Sequence, residues 1–202
     1  STVRLSPDQP QNIDFALEPA CMTEITVTDA NGFPIEAVSF EVYDFRARPV
    51  PHINEPQVTD SNGFITIGGL PPSAEPYFLY ALHEYYAPRR IRTELADPAV
   101  VEFTEVVLLP GYTVTGYLLY GDGQPVENGQ IVILPRNYPN SLTEPAITAG
   151  GGYFEVLDVP RGRNIIRARA DTEKQFLNIG PVRVPAEQNL ELYLEPPEPN
   201  EQ

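Results

Sequence analysis

Prolines interrupt this chain along its whole length, and their spacing limits what it can fold into more than any other feature. The 202 residues include 23 prolines, about twice the usual share. A proline inside a helix removes a hydrogen bond and clashes with the preceding turn. No stretch of ten or more residues has apolar residues at i, i+3, i+4 and i+7 without a proline or glycine among them. The sequence therefore predicts short strands joined by turns.

Several short runs alternate apolar and polar residues. One series is Val38, Phe40 and Val42, and another is Ile166 and Ala168. Alternation puts one face of a strand in the core and the other face in water. Turn residues separate such runs every 8 to 12 residues or so, roughly the spacing of a β-sandwich. We therefore predict an all-β chain of the immunoglobulin-like sandwich type.

The chain carries two copies of one pattern, about 90 residues apart. Residues 27–42 align with 118–133 at an offset of 91, and residues 62–71 align with 151–160 at an offset of 89. A period of this length fits tandem small domains. The pattern therefore predicts two sandwiches, one after the other.

The repeat divides the chain into four predicted segments: an orphan strand, a first sandwich, a second sandwich and a tail. These are residues 1–19, 20–110, 111–197 and 198–202. Residues 3–19 match 182–196, which end the second copy. We therefore interpret the orphan strand as the last strand of a preceding copy in a longer protein.

The motif shared by the two copies consists of turn glycines and core hydrophobes. Early in each copy stands the motif Gly-x-Pro-(Ile/Val). Later, Asn-Gly-Phe in the first copy begins a strand that ends at Pro71, and Gly-Gly-Tyr in the second copy begins one that ends at Pro160. These residues resemble the carboxypeptidase regulatory-like domain, a small prealbumin-like (transthyretin-like) β-sandwich of about seven strands. The resemblance covers both copies, and its motifs identify a fold better than an activity.

The resemblance implies a non-catalytic module, often repeated, in secreted, periplasmic or surface-anchored proteins. Such modules accompany peptidases, glycosidases, adhesins and outer-membrane receptors. We therefore expect a spacer or adhesion-type repeat of a larger extracytoplasmic protein. The alternatives are a carbohydrate-binding module attached to an enzyme and the regulatory domain of a peptidase. The expected partners are other domains of the same parent chain, with a protein or glycan ligand as a further possibility.

The charge balance argues against two classes of partner. The formal net charge is −15, whereas nucleic-acid binding proteins carry a basic patch or stripe, and an anionic membrane surface repels acidic chains. No stretch has the length and hydrophobicity of a transmembrane span. We expect no nucleic-acid partner and no direct membrane insertion.

The motif Asp-x-Asn-Gly occurs twice, beginning at Asp29 and at Asp60. A calcium loop of the EF-hand type spreads oxygen ligands over about twelve residues and ends in a bidentate glutamate. Neither stretch supplies that set, and the second copy keeps the glycine while losing most side-chain oxygens. We therefore predict tight turns capped by the aspartates, with no metal and no cofactor. A calcium ion shared by the two loops is the alternative.

Catalytic and cross-linking motifs are missing from the sequence. The two histidines, His52 and His83, both lie in the first copy, and no His-Glu-x-x-His or Gly-x-Ser-x-Gly occurs. The His-x-His pair and the Tyr-Arg-Gly-Ser signature of prealbumin-like enzymes are also missing. The one lysine, Lys174, lies too late in its copy for the internal isopeptide bond of collagen-adhesin B-type domains, and Cys21 is the only cysteine. We predict no enzyme and no disulfide.

Aromatic and arginine residues concentrate between positions 77 and 94. Alternation along this strand sends two rings away from the core. The predicted interaction surface consists of Phe78, Tyr80, Tyr86, Arg89 and Arg90. Either these side chains pack within the protein, including against the neighbouring copy, or they form a stacking platform for glycan or peptide.

Overall fold

The computed structural model describes residues 18–55, 57–171, 173, 175–186 and 188–195. In that part of the chain it has fourteen strands and two single-turn 3₁₀ helices, Asn140–Leu142 and Gly150–Gly152. The prediction of an all-β chain is therefore confirmed. All but the last two residues of the predicted orphan strand lie outside the described residues, as does the predicted tail.

Each repeat contributes seven strands to the described fold. In the first repeat they are β1 (Cys21–Thr28), β2 (Ser39–Tyr43), β3 (Ile53–Glu55), β4 (Phe64–Leu70), β5 (Tyr77–His83), β6 (Tyr86–Thr93) and β7 (Val101–Val107). In the second they are β8 (Tyr112–Tyr120), β9 (Gln130–Leu134), β10 (Ala146–Ile147), β11 (Tyr153–Val159), β12 (Gly162–Arg169), β13 (Leu177–Val184) and β14 (Leu190–Leu194).

The first repeat folds into two sheets with the strand orders β3-β4-β1-β7 and β2-β5-β6. Alternate residues of β1 are buried, as the sequence pattern predicts, and they include Ile25 and Val27. These residues pack with Phe40, Ile65 and Leu79 from the neighbouring strands in one apolar core. Burial of this apolar surface is the main force that holds the two sheets together.

The second repeat has the sheets β11-β8-β14 and β10-β9-β12-β13, with its own core around Leu118 and Phe154. In both repeats the last strand pairs in parallel with the first, β7 with β1 and β14 with β8. The third strands differ, because β3 pairs with β4 whereas β10 pairs with β9. The two repeats therefore share one topology apart from the sheet that the third strand joins. The domain boundaries given above stay predictions.

The two Asp-x-Asn-Gly stretches form the same turn. The Asp29 Oδ1 atom accepts hydrogen bonds from the backbone N–H groups of Asn31 (2.8 Å) and Phe33 (2.9 Å). Asp60 Oδ1 accepts the equivalent bonds from the residues two and four positions later, both 2.9 Å long. These backbone donors hold the pKa of both carboxyls below its ordinary value. The predicted turns are confirmed, and the carboxylate oxygens are engaged by the chain itself.

A buried threonine ties the turns to the core, and the sequence alone did not reveal it. The Thr59 hydroxyl accepts a hydrogen bond from Val38 N (2.9 Å) and donates one to Ile35 O (2.7 Å). Thr148 makes the corresponding pair of bonds in the second repeat. Both threonines are almost fully buried. Each hydroxyl therefore satisfies two backbone groups that no strand pairs.

Candidate functional site

The outer face of β5 carries Phe78 and Tyr80, and in the structure this face lies against the second repeat. We call this contact the junction. Its buried members are Tyr43, Tyr80, Val132, Leu134 and Leu142, and its partly buried members are Phe78, Leu82, Tyr138 and Phe176. It is separate from the two sandwich cores. The junction is therefore a third apolar cluster, formed by side chains from both repeats.

Tyr80 is the centre of the junction. Only 2% of the residue is exposed, and its hydroxyl donates a hydrogen bond to Asn137 O (2.9 Å). The Tyr43 ring lies 5.4 Å from it and the Tyr138 ring 5.0 Å, measured between ring centroids, with both pairs edge to face. This arrangement of rings adds about 0.5–1.5 kcal/mol per pair to the burial energy. Burial raises the pKa of the Tyr80 and Tyr138 phenols.

Further hydrogen bonds cross the junction at its edges. Tyr138 accepts one from the backbone N–H of Arg90 (2.9 Å) and donates one to Pro88 O (3.3 Å). The hydroxyls of Tyr43 and Ser141 lie 3.1 Å apart. The tyrosine hydroxyls that the contact buries thus find partners in the opposite repeat, which offsets their desolvation, whereas the buried Arg90 Nε has no hydrogen-bond partner among the described residues.

The connection between the repeats is short and fixed at both ends. Leu108 is fully buried in the first core, and its N–H donates to Thr28 O (2.9 Å). The next residue, Leu109, accepts a hydrogen bond from Ala87 N (3.0 Å). Gly111 lies so close to the backbone of Asp158 that a Cβ atom would overlap it. The chain therefore leaves one sandwich and enters the next with little freedom.

The two repeats meet through equivalent strands. β9 occupies in the second repeat the place that β2 has in the first, and Val132 and Leu134 on its outer side face Tyr43 and Tyr80. The run Ile131–Leu134 is apolar at every position and buried on both sides. Such a continuous run is the sequence signal of a strand covered on both faces. It could have revealed the second half of the junction.

The five predicted surface residues do not form one exposed platform. Tyr80 is buried, because Tyr138 and Leu142, on the segment after β9, cover it. Phe78 is partly buried, and the Arg90 guanidinium lies 3.7 Å from the centre of its ring. Tyr86 packs against the first core, and Arg89 is exposed. The structure thus corresponds to packing against the neighbouring copy, one of the two alternatives.

A groove of about 600 Å³ lies beside the junction. The β5–β6 hairpin and the start of β2 form one wall, and β9, β11 and the segment after β9 form the other. Its volume lies within the range of about 300–1,000 Å³ that ligand sites occupy. The groove exists only because the two repeats are in contact.

Among the described residues, no group of three or more His, Cys, Asp or Glu side chains is placed to hold a metal ion. No helix in the described part of the chain is long and apolar enough to cross a membrane.

No protein-family model and no curated protein matches the sequence. Among solved structures, a streptococcal ancillary pilin is 14% identical, with 89% of this chain and 63% of that chain covered and a TM-score of 0.36. The TIE protein of Bacillus anthracis is 13% identical, with 87% and 34% covered and a TM-score of 0.37. GBS52, the minor pilin of Streptococcus agalactiae, is 13% identical, with 89% and 98% covered and a TM-score of 0.35.

The chain spans less than two thirds of the first two of these structures.

Proposed function

We propose that this chain is a non-catalytic structural and adhesion-type module of a larger extracytoplasmic protein, in which the junction holds two β-sandwiches as one stiff unit. The burial of Tyr80 between the repeats carries this proposal. Neighbouring domains move relative to one another by default unless their interface is large and apolar. Here an apolar cluster, crossing hydrogen bonds and a fixed connection all act against such motion.

A stiff pair of sandwiches suits a spacer. It sets the distance and orientation of whatever domains flank it, and these are the partners we propose. The secreted, periplasmic or cell-surface location follows from the resemblance to carboxypeptidase regulatory-like domains, which is itself part of the proposal. The carbohydrate-binding alternative loses its main residue, because the Tyr80 ring is 2% exposed. No observation favours a role as the regulatory domain of a peptidase.

Small-angle X-ray scattering of Tyr80→Ala tests the proposal. Removing a buried aromatic side chain costs about 3–5 kcal/mol of stability. Because Tyr80 lies in the junction, this loss weakens the contact between the repeats and not the core of either sandwich. We expect the wild type to scatter as one compact particle and Tyr80→Ala to show a larger radius of gyration. The matched control is Tyr85→Ala, because Tyr85 is 69% exposed and lies outside the junction.

The control should scatter like the wild type. Circular dichroism of each variant shows whether the sandwiches themselves remain folded, and Tyr80→Phe supplies a milder change that keeps the ring. A wild type that already scatters as two independently moving domains would contradict the proposal.

A further inference from the structure

The groove beside the junction is acidic as well as partly apolar. Its lining includes four carboxylates and no arginine or lysine among the described residues: Glu84, Glu144, Glu155 and Asp158. In the described part of the chain none of the four forms an ion pair. The nearby Arg90 guanidinium is held over the Phe78 ring instead. The groove therefore concentrates negative charge, and among the described residues that line it only the imidazole of His83 could carry a positive charge.

Apolar side chains share the same groove. Leu82 and Leu142 line it from the junction side, and Leu157, which is 62% exposed, lines it from β11. The exposed Leu157 lies on the same outward side of β11 as Glu155, so the wall presents both an apolar and an acidic contact. An occupant that matches this wall needs apolar groups and positive charge together.

Asp158 adds a difference between the two repeats. The equivalent position of the first repeat is Gly69, and both residues have positive φ, 54° for Asp158 and 73° for Gly69. The second repeat thus keeps a backbone conformation that favours glycine, yet it places a carboxylate there. Burial raises the pKa of the Asp158 carboxyl, because it removes part of the water that would hydrate the charged form.

We propose that the groove binds an extended peptide segment in which a lysine or arginine stands beside an apolar residue. Charge complementarity selects this occupant, because a cationic side chain would meet the carboxylates while its apolar neighbour covers Leu157 and Leu142. The inference rests on the junction that the proposed function also uses, and it adds a class of partner to that function. A spacer that captures basic peptide segments would bind proteins as well as separate them.

NMR titration of the ¹⁵N-labelled full chain tests this inference. The probe is the peptide acetyl-Val-Lys-Leu-Lys-Val-amide, and the matched peptide replaces both lysines with glutamates. We expect saturable amide shift changes at Leu82, Leu142 and Leu157 with the lysine peptide, and none with the glutamate peptide. The double variant Glu144→Gln/Glu155→Gln should weaken binding by about fivefold or more.

A charge-matched control is Glu102→Gln/Glu105→Gln, because both residues are exposed on β7 and do not line the groove. It should change binding by less than about twofold. Equal weakening by the two double variants, shift changes outside the groove, or no saturable binding would each overturn the inference. The amide signals of Arg90 and Asn137 report separately on the junction, so a lost groove and a lost junction are distinguishable.

Discussion

At the scale of single residues, the fold depends on positions where a side chain would not fit. A Cβ atom on Gly63 would overlap the carbonyl oxygen of Val27, and one on Gly152 would overlap that of Leu118. Gly63 and Gly152 occupy the same position in the two repeats, because at both positions the backbone of another strand lies too close to leave room for a side chain. Gly32 also has positive φ, but the space around its Cβ position is open. The sequence repeat identified all three glycines as turn residues, but it did not distinguish a glycine needed for close approach of another strand from one needed only for its positive φ.

Replacing Gly63 with alanine should destabilise the protein more than replacing Gly32. Gly32→Ala costs only the strain of a left-handed alanine, about 1–2 kcal/mol. Gly63→Ala adds the overlap with Val27 O, which also accepts a hydrogen bond from Ile35 N (3.0 Å). We expect a further loss of about 2 kcal/mol or more, measured by urea denaturation. Equal losses for the two variants would contradict this account of Gly63.

Replacing Thr59 with valine should leave two buried backbone groups without a partner. The shape of the side chain is kept, but Val38 N and Ile35 O lose the hydroxyl. We expect a loss of about 1–3 kcal/mol in unfolding free energy. Thr59→Ser keeps the hydroxyl and should lose less, and Thr113→Val, at an exposed position, should be nearly neutral. A Thr59→Val variant as stable as Thr113→Val would refute this role.

The threonine pair was missed for a simple reason. Thr59 and Thr148 precede the aligned segments at 62–71 and 151–160, and their neighbours differ. A threonine in a turn is also common on the surface, and only the structure reveals that this hydroxyl points inward. Burial of a polar side chain depends on tertiary packing, which a sequence pattern does not contain.

At the scale of elements, the aspartate turns make part of the stability depend on pH. The pKa of Asp29 and of Asp60 is below the ordinary value of 3.8 in the folded state. Their contribution is therefore present above pH 3.8 and is lost as the pH falls from there through the folded-state pKa.

The double variant Asp29→Asn/Asp60→Asn should be less stable than the wild type at neutral pH and should approach it in acid. Urea midpoints measured across this range give the comparison. Asp171→Asn is the control, because Asp171 is exposed and outside these turns. A stability difference that stays constant down to strongly acidic pH would show that the charge of the two carboxylates contributes nothing.

The strands were the most predictable elements, and their outer faces the least. Alternation in β1, β2 and β12 identified the buried side of each strand, because a sandwich has one core face per sheet. The same alternation placed Tyr80 on the outer side of β5. It could not say what covers that side, since the covering residues Tyr138 and Leu142 lie about 60 positions away in the other repeat.

At the scale of the whole molecule, the described chain consists of two similar sandwiches joined by a third apolar cluster. The repeat predicted the two sandwiches, while the junction depends on side chains that the repeat does not share. By their pairing with β2 and β9, Ile165 and Arg167 hold in β12 the places that Phe78 and Tyr80 hold in β5. The side chains at the junction thus differ between the two repeats, although the strands that carry them are equivalent. This difference favours one orientation of the two sandwiches.

Residual dipolar couplings of the wild-type chain, measured by NMR in a weakly aligning medium, test the central claim most directly. If the junction holds the repeats as one unit, a single alignment tensor will fit the backbone couplings of both sandwiches in the arrangement described. If the repeats move independently, each sandwich will need its own tensor of different magnitude. That result would contradict the account of this chain as a stiff spacer.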